Sequence, residues 1–205
     1  MKDRISTKKI LITLVGILLI GTAVAFNAGA NLGNDPVGIF YDGIRSILNL
    51  EAAELGMASN VVNISLVILL CFIGRHYVNL GTLIYILPYG TCVSLGSMLY
   101  TKIFVSDALI VRILGSTIGC LLLCLGVAVF IVADIGMDPM TGVTMVIKDK
   151  TGWDYKRAKW LFDCSITAIG FVCGGKFGAI TIITILAAGP VIQWMTGKVR
   201  NILKM

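Results

Sequence analysis

Six stretches of this chain are apolar for about the length that crosses a ~30 Å hydrocarbon core, which takes roughly 17–25 residues as a helix. They are Ile10–Ala30, Met57–Ile73, Leu80–Tyr100, Ile113–Ala133, Trp160–Cys173 (beginning near Ala158) and Phe177–Met195. The second and fifth are the short ones. A bilayer admits only structures that satisfy their own backbone, and long continuous apolar runs do so as helices. The expected fold is therefore all-α: one polytopic membrane domain over residues 1–205 with six transmembrane helices. Composition agrees, with 57% hydrophobic and 14% charged residues, where soluble domains carry about a quarter charged. A water-soluble fold of this length could not hide so much apolar surface.

The first run has the features of a leader: Lys2, Arg4, Lys8 and Lys9 before it and a small-residue site at Ala23-Val24-Ala25. A similar pattern, Gly126-Val127-Ala128-Val129, recurs deep inside the chain. We therefore read the first run as a helix with small residues for close packing.

Charge sets an expected orientation. With the N-terminus inside, the inner segments hold Lys2, Arg4, Lys8, Lys9, Arg75, Lys148, Lys150, Lys156, Arg157, Lys159, Lys198, Arg200 and Lys204. The outer ones hold Arg45, Lys102, Arg112 and Lys176. Thirteen of seventeen basic residues then face the cytoplasm, as the positive-inside rule expects, with both termini cytoplasmic. No basic domain with interleaved aromatics stands apart, so no nucleic-acid partner is expected; the bilayer is the partner. The six cysteines lie in apolar runs without a Cys-x-x-Cys pair, and His76 is the one histidine. A zinc site needs clustered ligands, so no metal and no cofactor is expected, and the thiols read as small buried packing residues.

The two halves resemble each other. Gly33-Asn34-Asp35-Pro36 lies over Gly136-Met137-Asp138-Pro139, sharing Gly-x-Asp-Pro. Upstream, across a two-residue gap, Gly21, Ala23 and Val24 lie over Gly126, Ala128 and Val129. Downstream, Ala58, Asn63, Ser65 and Gly74 lie over Ala158, Asp163, Ser165 and Gly174, and Thr82 and Gly90 over Thr181 and Gly189. The repeats run over about 10–100 and 108–197. Each holds three spans, and an odd number of crossings makes the second repeat enter the bilayer from the opposite side. Inverted repeats are characteristic of transporters, whose halves exchange shapes around a shared site.

After each Gly-x-Asp-Pro comes a segment too short to span comfortably, Val37–Leu50 and Met140–Lys150. Asp is a good N-cap and Pro a good first helical residue, so each motif starts a short helix. Such helices either dip into the protein, their N-terminal ends turned toward a solute, or lie as amphipathic helices at the interface. The sequence leaves both open. Asn27, Asn60, Asn63, Asp163, Thr167 and Gln193 lie within or at the ends of apolar runs. Ionisable groups there are costly and are functional candidates. Asp163 is a candidate for a coupling proton, against a bland alternative in which it faces the headgroups one turn from Lys159. Gly16, Gly21, Gly115, Gly119 and Gly126 read as helix-packing positions, and Tyr100, Trp153, Trp160 and Trp194 as interface anchors.

Enzyme signatures are absent: no H-E-x-x-H, G-x-S-x-G or phosphate loop. Intramembrane aspartyl proteases need Gly-x-Gly-Asp with both aspartates in spans; here the second glycine is missing and Asp42 is expected in a loop. The chain is not expected to be an enzyme.

The doubled Gly-x-Asp-Pro loops, the short helices after them and Gly81-Thr82 resemble the bacterial YitT/YczE group of membrane proteins, from about Gly16 to Gly197. Members commonly carry an apolar residue where Asn34 stands, and the second copy here has Ile180-Thr181 in place of Gly-Thr. The resemblance implies the bacterial inner membrane and no established substrate. The expected function is transport of a small solute, with Gly33, Asp35, Pro36, Asn63, Gly136, Asp138, Pro139 and Asp163 nearest the pathway. The alternative is a non-transporting binding or scaffold subunit of a larger complex; a homo-oligomer is compatible with either.

Overall fold

The structure is a computed structural model describing residues 6–204; Lys2 and Arg4, counted above as inner basic residues, lie outside the described residues. Among those described there are eight α-helices: α1 (Thr7–Ala30), α2 (Pro36–Ile47), α3 (Leu55–Ile73), α4 (Leu80–Ile103), α5 (Leu109–Ala133), α6 (Pro139–Thr151), α7 (Tyr155–Val172) and α8 (Ala179–Leu203). A 3-10 turn, Ala52–Glu54, leads directly into α3. Five helices are long and apolar enough to cross a membrane: α1, α3 with its leading turn, α4, α5 and α8. The sixth expected span corresponds to α7. It has 18 residues, and Lys156, Arg157, Lys159 and Asp163 fall within it, which lowers its apolar character.

α1 and α5 are the central antiparallel pair. Arg112 at the start of α5 donates to the carbonyls of Ala30 (2.7 Å) and Asn31 (2.5 Å) at the end of α1, satisfying acceptors that a helix C-terminus leaves open. At the crossing itself the helices touch through backbone. A side chain at Gly16 would meet the nitrogen of Phe130 at 3.0 Å and the carbonyl of Gly126 at 3.1 Å; one at Gly119 would meet Asn27 and, at 3.2 Å, the carbonyl of Ala23. Close approach of this kind supplies van der Waals contact between helices, whose apolar side chains are no better off against each other than against lipid.

α4 runs parallel to α1, meeting it at Gly21–Cys92 and Gly96–Thr22, and α8 runs along α5, where Val199 joins Ala128 and Val132 in one buried cluster. α2 packs on α7 and α3, and α6 on α3 and α7. α3 also packs along α4, whereas α7 and α8 barely touch. The thiols divide: Cys92 and Cys124 are buried, but Cys71 and Cys164 are exposed on the apolar surface. Tyr100 is not an exposed interface anchor; it is buried beside Phe26 and Phe104, with ring centroids 5.5 and 4.9 Å away.

Candidate functional site

Each Gly-x-Asp-Pro loop reverses the chain. α1 ends on Asn31 in the left-handed conformation (φ 54°), and α5 ends on Asp134 in the same conformation (φ 48°). Gly33 then adopts φ +99°, open to glycine at no steric cost. The returning loop folds back beside α1: Asn34 donates its side-chain N–H to the carbonyl of Val24 (3.2 Å) and accepts from the backbone N–H of Asp35 (3.0 Å). Val24 lies six residues before Ala30, about 9 Å along the helix at 1.5 Å per residue. α2 therefore starts well below the end of α1, and its last turn reaches the end of α7, where Ser46 meets Gly174. Its first two turns are largely buried (Pro36, Gly38, Ile39, Tyr41, Asp42 and Gly43), so α2 enters the bundle rather than lying along its surface. α6 does the same from the other end, with Pro139, Met140, Gly142, Val143 and Thr144 buried.

Each loop docks on the first turn of a distant helix. A side chain at Gly33 would meet the nitrogen of Gly178 at 2.6 Å and the hydroxyl of Thr181 at 2.7 Å, and Ile180 N–H donates to the Leu32 carbonyl (3.1 Å). The second loop sits on α4: Gly136 lies against Gly81 and Asn79, and Thr82 donates its hydroxyl to the Met137 carbonyl (3.0 Å). Thr82 and Thr181 are both buried. The glycine absent at position 180 has a substitute two residues earlier, because it is Gly178 that Gly33 approaches.

Both expected caps are present. Asp35 accepts from Val37 N–H at 3.3 Å. Asp138 accepts from Thr141 N–H at 3.0 Å and from the Thr141 hydroxyl at 2.6 Å. The two N-terminal ends converge on a stack of tyrosines. Tyr41 and Tyr89 have centroids 5.8 Å apart, and Tyr85 and Tyr89 stack at 4.9 Å. Asp138 bears electrostatically on Tyr41, and Asp35 on Tyr89. Tyr41 donates to Asn63 (3.1 Å), which α3 holds fully buried. Asp163, 25% exposed, pairs at 2.6 Å with Lys159, 32% exposed. Both act on Asp35 from α7. All eight candidate residues are thus at the two loops or beside the helix ends these loops start.

Asp35 stands in the loop, outside the spanning helices, and burial pushes its carboxyl up to about 6 against the opposing pull of the Lys159 ammonium. Its Oδ1 is buried without a partner. Since both helix ends are already capped by carboxylates, neither offers an open nest of N–H groups to an anion. Among the described residues no group of three or more His, Cys, Asp or Glu is placed to hold a metal.

Sequence reasoning missed several groups. Tyr85 and Tyr89 carry no signal within the apolar run Leu80–Tyr100, and Tyr41 reads only as part of the apolar face of the short segment Val37–Leu50. Asp42, expected in a loop, is a buried α2 residue that pairs with Arg45 (2.8 Å) and accepts from Lys176 N–H (3.1 Å). Of the polar residues singled out, Asn60 accepts from Gly90 N–H (3.1 Å), while Gln193 is exposed on α8, away from the site.

Comparison with known proteins agrees with the resemblance. The uncharacterized membrane protein YczE of Bacillus subtilis (strain 168) is 28% identical over 78 residues, 38% of this chain. The match covers 36% of that protein's length. No solved structure matches. The protein is a membrane protein, and over residues 7–197 it belongs to the family of unknown function DUF6198.

Proposed function

We propose that this protein is a small-solute transporter of the bacterial inner membrane, built from two inverted three-helix repeats with α7 as the sixth span and both termini cytoplasmic. The observation that carries the reading is a correspondence in packing. Exchange α1–α4 for α5–α8, and the central α1–α5 pair maps onto itself. α1 on α4 becomes α5 on α8, α2 on α3 becomes α6 on α7, and α2 on α7 becomes α6 on α3. Relations that survive such an exchange are what a pseudo-two-fold axis produces, and inverted repeats with broken helices near the midplane are the frame of many transporters.

The clearest departure from the exchange is between the last two helices of each half. α3 closes on α4, with Asn60 holding Gly90 N–H, but α7 stands off α8, and Gly189, the counterpart of Gly90, has nothing within 4 Å. One half closed and the other open is the form a single state of an alternating pair takes. The solute pathway of this reading runs past Gly33, Asp35, Pro36, Asn63, Gly136, Asp138, Pro139 and Asp163.

The test uses a cysteine-free background carrying Asp35→Cys or Asp138→Cys, labelled from each side with impermeant thiol reagents, alongside uptake of a broad solute panel into proteoliposomes. Partial shielding at both positions that changes with a transported solute is expected. Free labelling of position 35 from one side and of 138 from the other, with no uptake, would overturn the reading.

A further inference from the structure

Four aspartates lie in or beside the buried polar centre, and three of them are well satisfied. Asp42 accepts from Arg45 at 2.8 Å and from Lys176 N–H at 3.1 Å. Asp138 takes two bonds from Thr141, at 3.0 and 2.6 Å. Asp163 has the Lys159 ammonium at 2.6 Å. Asp35 has one long bond, from Val37 N–H at 3.3 Å, with the Gly38 N–H also turned toward the carboxyl, and its Oδ1 is buried with no partner within bonding distance. The side-chain N–H groups of Asn27 and Asn63 are likewise buried and unpaired.

An ionised carboxylate in that position lacks the hydrogen bonds that make burial of a charge tolerable. Its one nearby cation, Lys159, is engaged by Asp163. The groups facing it are Lys159 and Asp163 on α7, Tyr85 and Tyr89 on α4, and Cys120 on α5. The aromatic and thiol groups are neutral around pH 7, and Asp163 opposes the attraction of Lys159. A protonated Asp35 removes the difficulty: the neutral acid keeps its cap on Val37 with one oxygen and needs no counter-ion.

We infer that Asp35 is the proton-binding group of the central site, and that Asp163 beside it is held in its ion pair with Lys159. This moves the proton from Asp163, the candidate on sequence grounds, to the N-cap of α2. When Asp35 gives up its proton, the new carboxylate and Asp163 compete for Lys159, which couples the start of α2 to α7. Service as the coupling group of a transport cycle rests on the transport reading; the proton site itself does not.

Dicyclohexylcarbodiimide tests it on the full chain in detergent. An apolar carbodiimide adds a protonated carboxyl group across one C=N bond and rearranges to a stable N-acylurea, located by peptide mass spectrometry. The expected result is an adduct on Asp35 that falls as pH rises through about 6, with Asp138 and Asp163 unlabelled. Lys159→Met should add Asp163 to the labelled set, which also shows that the reagent reaches this region. An adduct on Asp163 but not Asp35 in the unaltered protein, or labelling of Asp35 indifferent to pH, would overturn the inference. If no adduct forms anywhere, infrared spectra decide: a protonated-acid carbonyl band lost in Asp35→Asn supports it, and absence of that band overturns it. An intact proton site in a protein that moves no solute would sink the transport reading alone.

Discussion

Gly16 and Gly119 hold matching places on either side of one crossing: Gly16 of α1 lies against Gly126 and Phe130 of α5, and Gly119 of α5 lies against Ala23 and Asn27 of α1. Each pair of partners is displaced by 103 positions from the other. At Gly16 an added methyl would meet only backbone, and at Gly119 it would meet the buried Asn27 side chain before the Ala23 carbonyl at 3.2 Å. Gly16→Ala and Gly119→Ala should each destabilise by about 1–3 kcal/mol, the range for overpacking, with the double substitution larger. Thermal unfolding in detergent measures it, and full retention of stability by both variants would deny the close crossing.

Asp35 gives the protein a pH dependence of defined sign. Its carboxyl is raised from 3.8 to about 6 by burial, so the folded state holds the proton more tightly than the unfolded chain. The resulting stabilisation is complete below 3.8 and is lost as pH climbs through about 6. Asp35→Asn keeps an N-cap side chain and cannot ionise. It should therefore equal or exceed the parent by about 1–3 kcal/mol above neutrality, the worth of about two pKa units, and lose that advantage in acid. Melting curves across pH compare the two, and parallel profiles would count against a buried, raised carboxyl.

Much of this was legible in the sequence because membrane helices and their caps obey local rules. Asp-Pro at 35–36 and 138–139 marked the starts of α2 and α6, and the structure begins both helices at the proline. What local rules do not carry is the partner of each glycine. Matching Gly21 to Gly126 maximises identity in the alignment, yet Gly21 lies on Cys92 of α4 and Gly126 on Ile20 of α1. The contacts instead pair Gly16 with Gly119 without a gap, in step with Asn31 and Asp134. Whether α2 dips inward or lies flat likewise depended on long-range contacts, among them the bond from Asn34 to Val24. The tyrosine stack escaped notice because an aromatic residue among apolar neighbours carries no signal of the polar atom it will meet, here Asn63 for Tyr41 on α2.

The docking of the second loop depends on one hydroxyl. Thr82 donates to Met137 at 3.0 Å, accepts weakly from Asn79 N–H at 3.3 Å, and is 1% exposed. Thr82→Val keeps the shape and leaves the Met137 carbonyl without this donor, for an expected loss of about 1–3 kcal/mol. Thr82→Ser should recover most of it. Hydrogen exchange over residues 135–142 should rise in the valine variant, and unchanged exchange there would show that the loop is held by packing alone.

The Lys159–Asp163 pair separates charge from shape. Its 2.6 Å contact is only part-exposed, and removing one partner leaves the other charge without compensation in a poorly hydrated place. Lys159→Met should cost about 1–3 kcal/mol, below the 3–5 kcal/mol of a fully buried pair because water still reaches both groups. Asp163→Leu alone should cost a similar amount, and the double variant should recover most of the loss, since two apolar side chains need no counter-ion. A double-mutant cycle on thermal unfolding reads the coupling directly. Additive losses would mean that the two charges act independently, and that Lys159 is free to serve Asp35 instead.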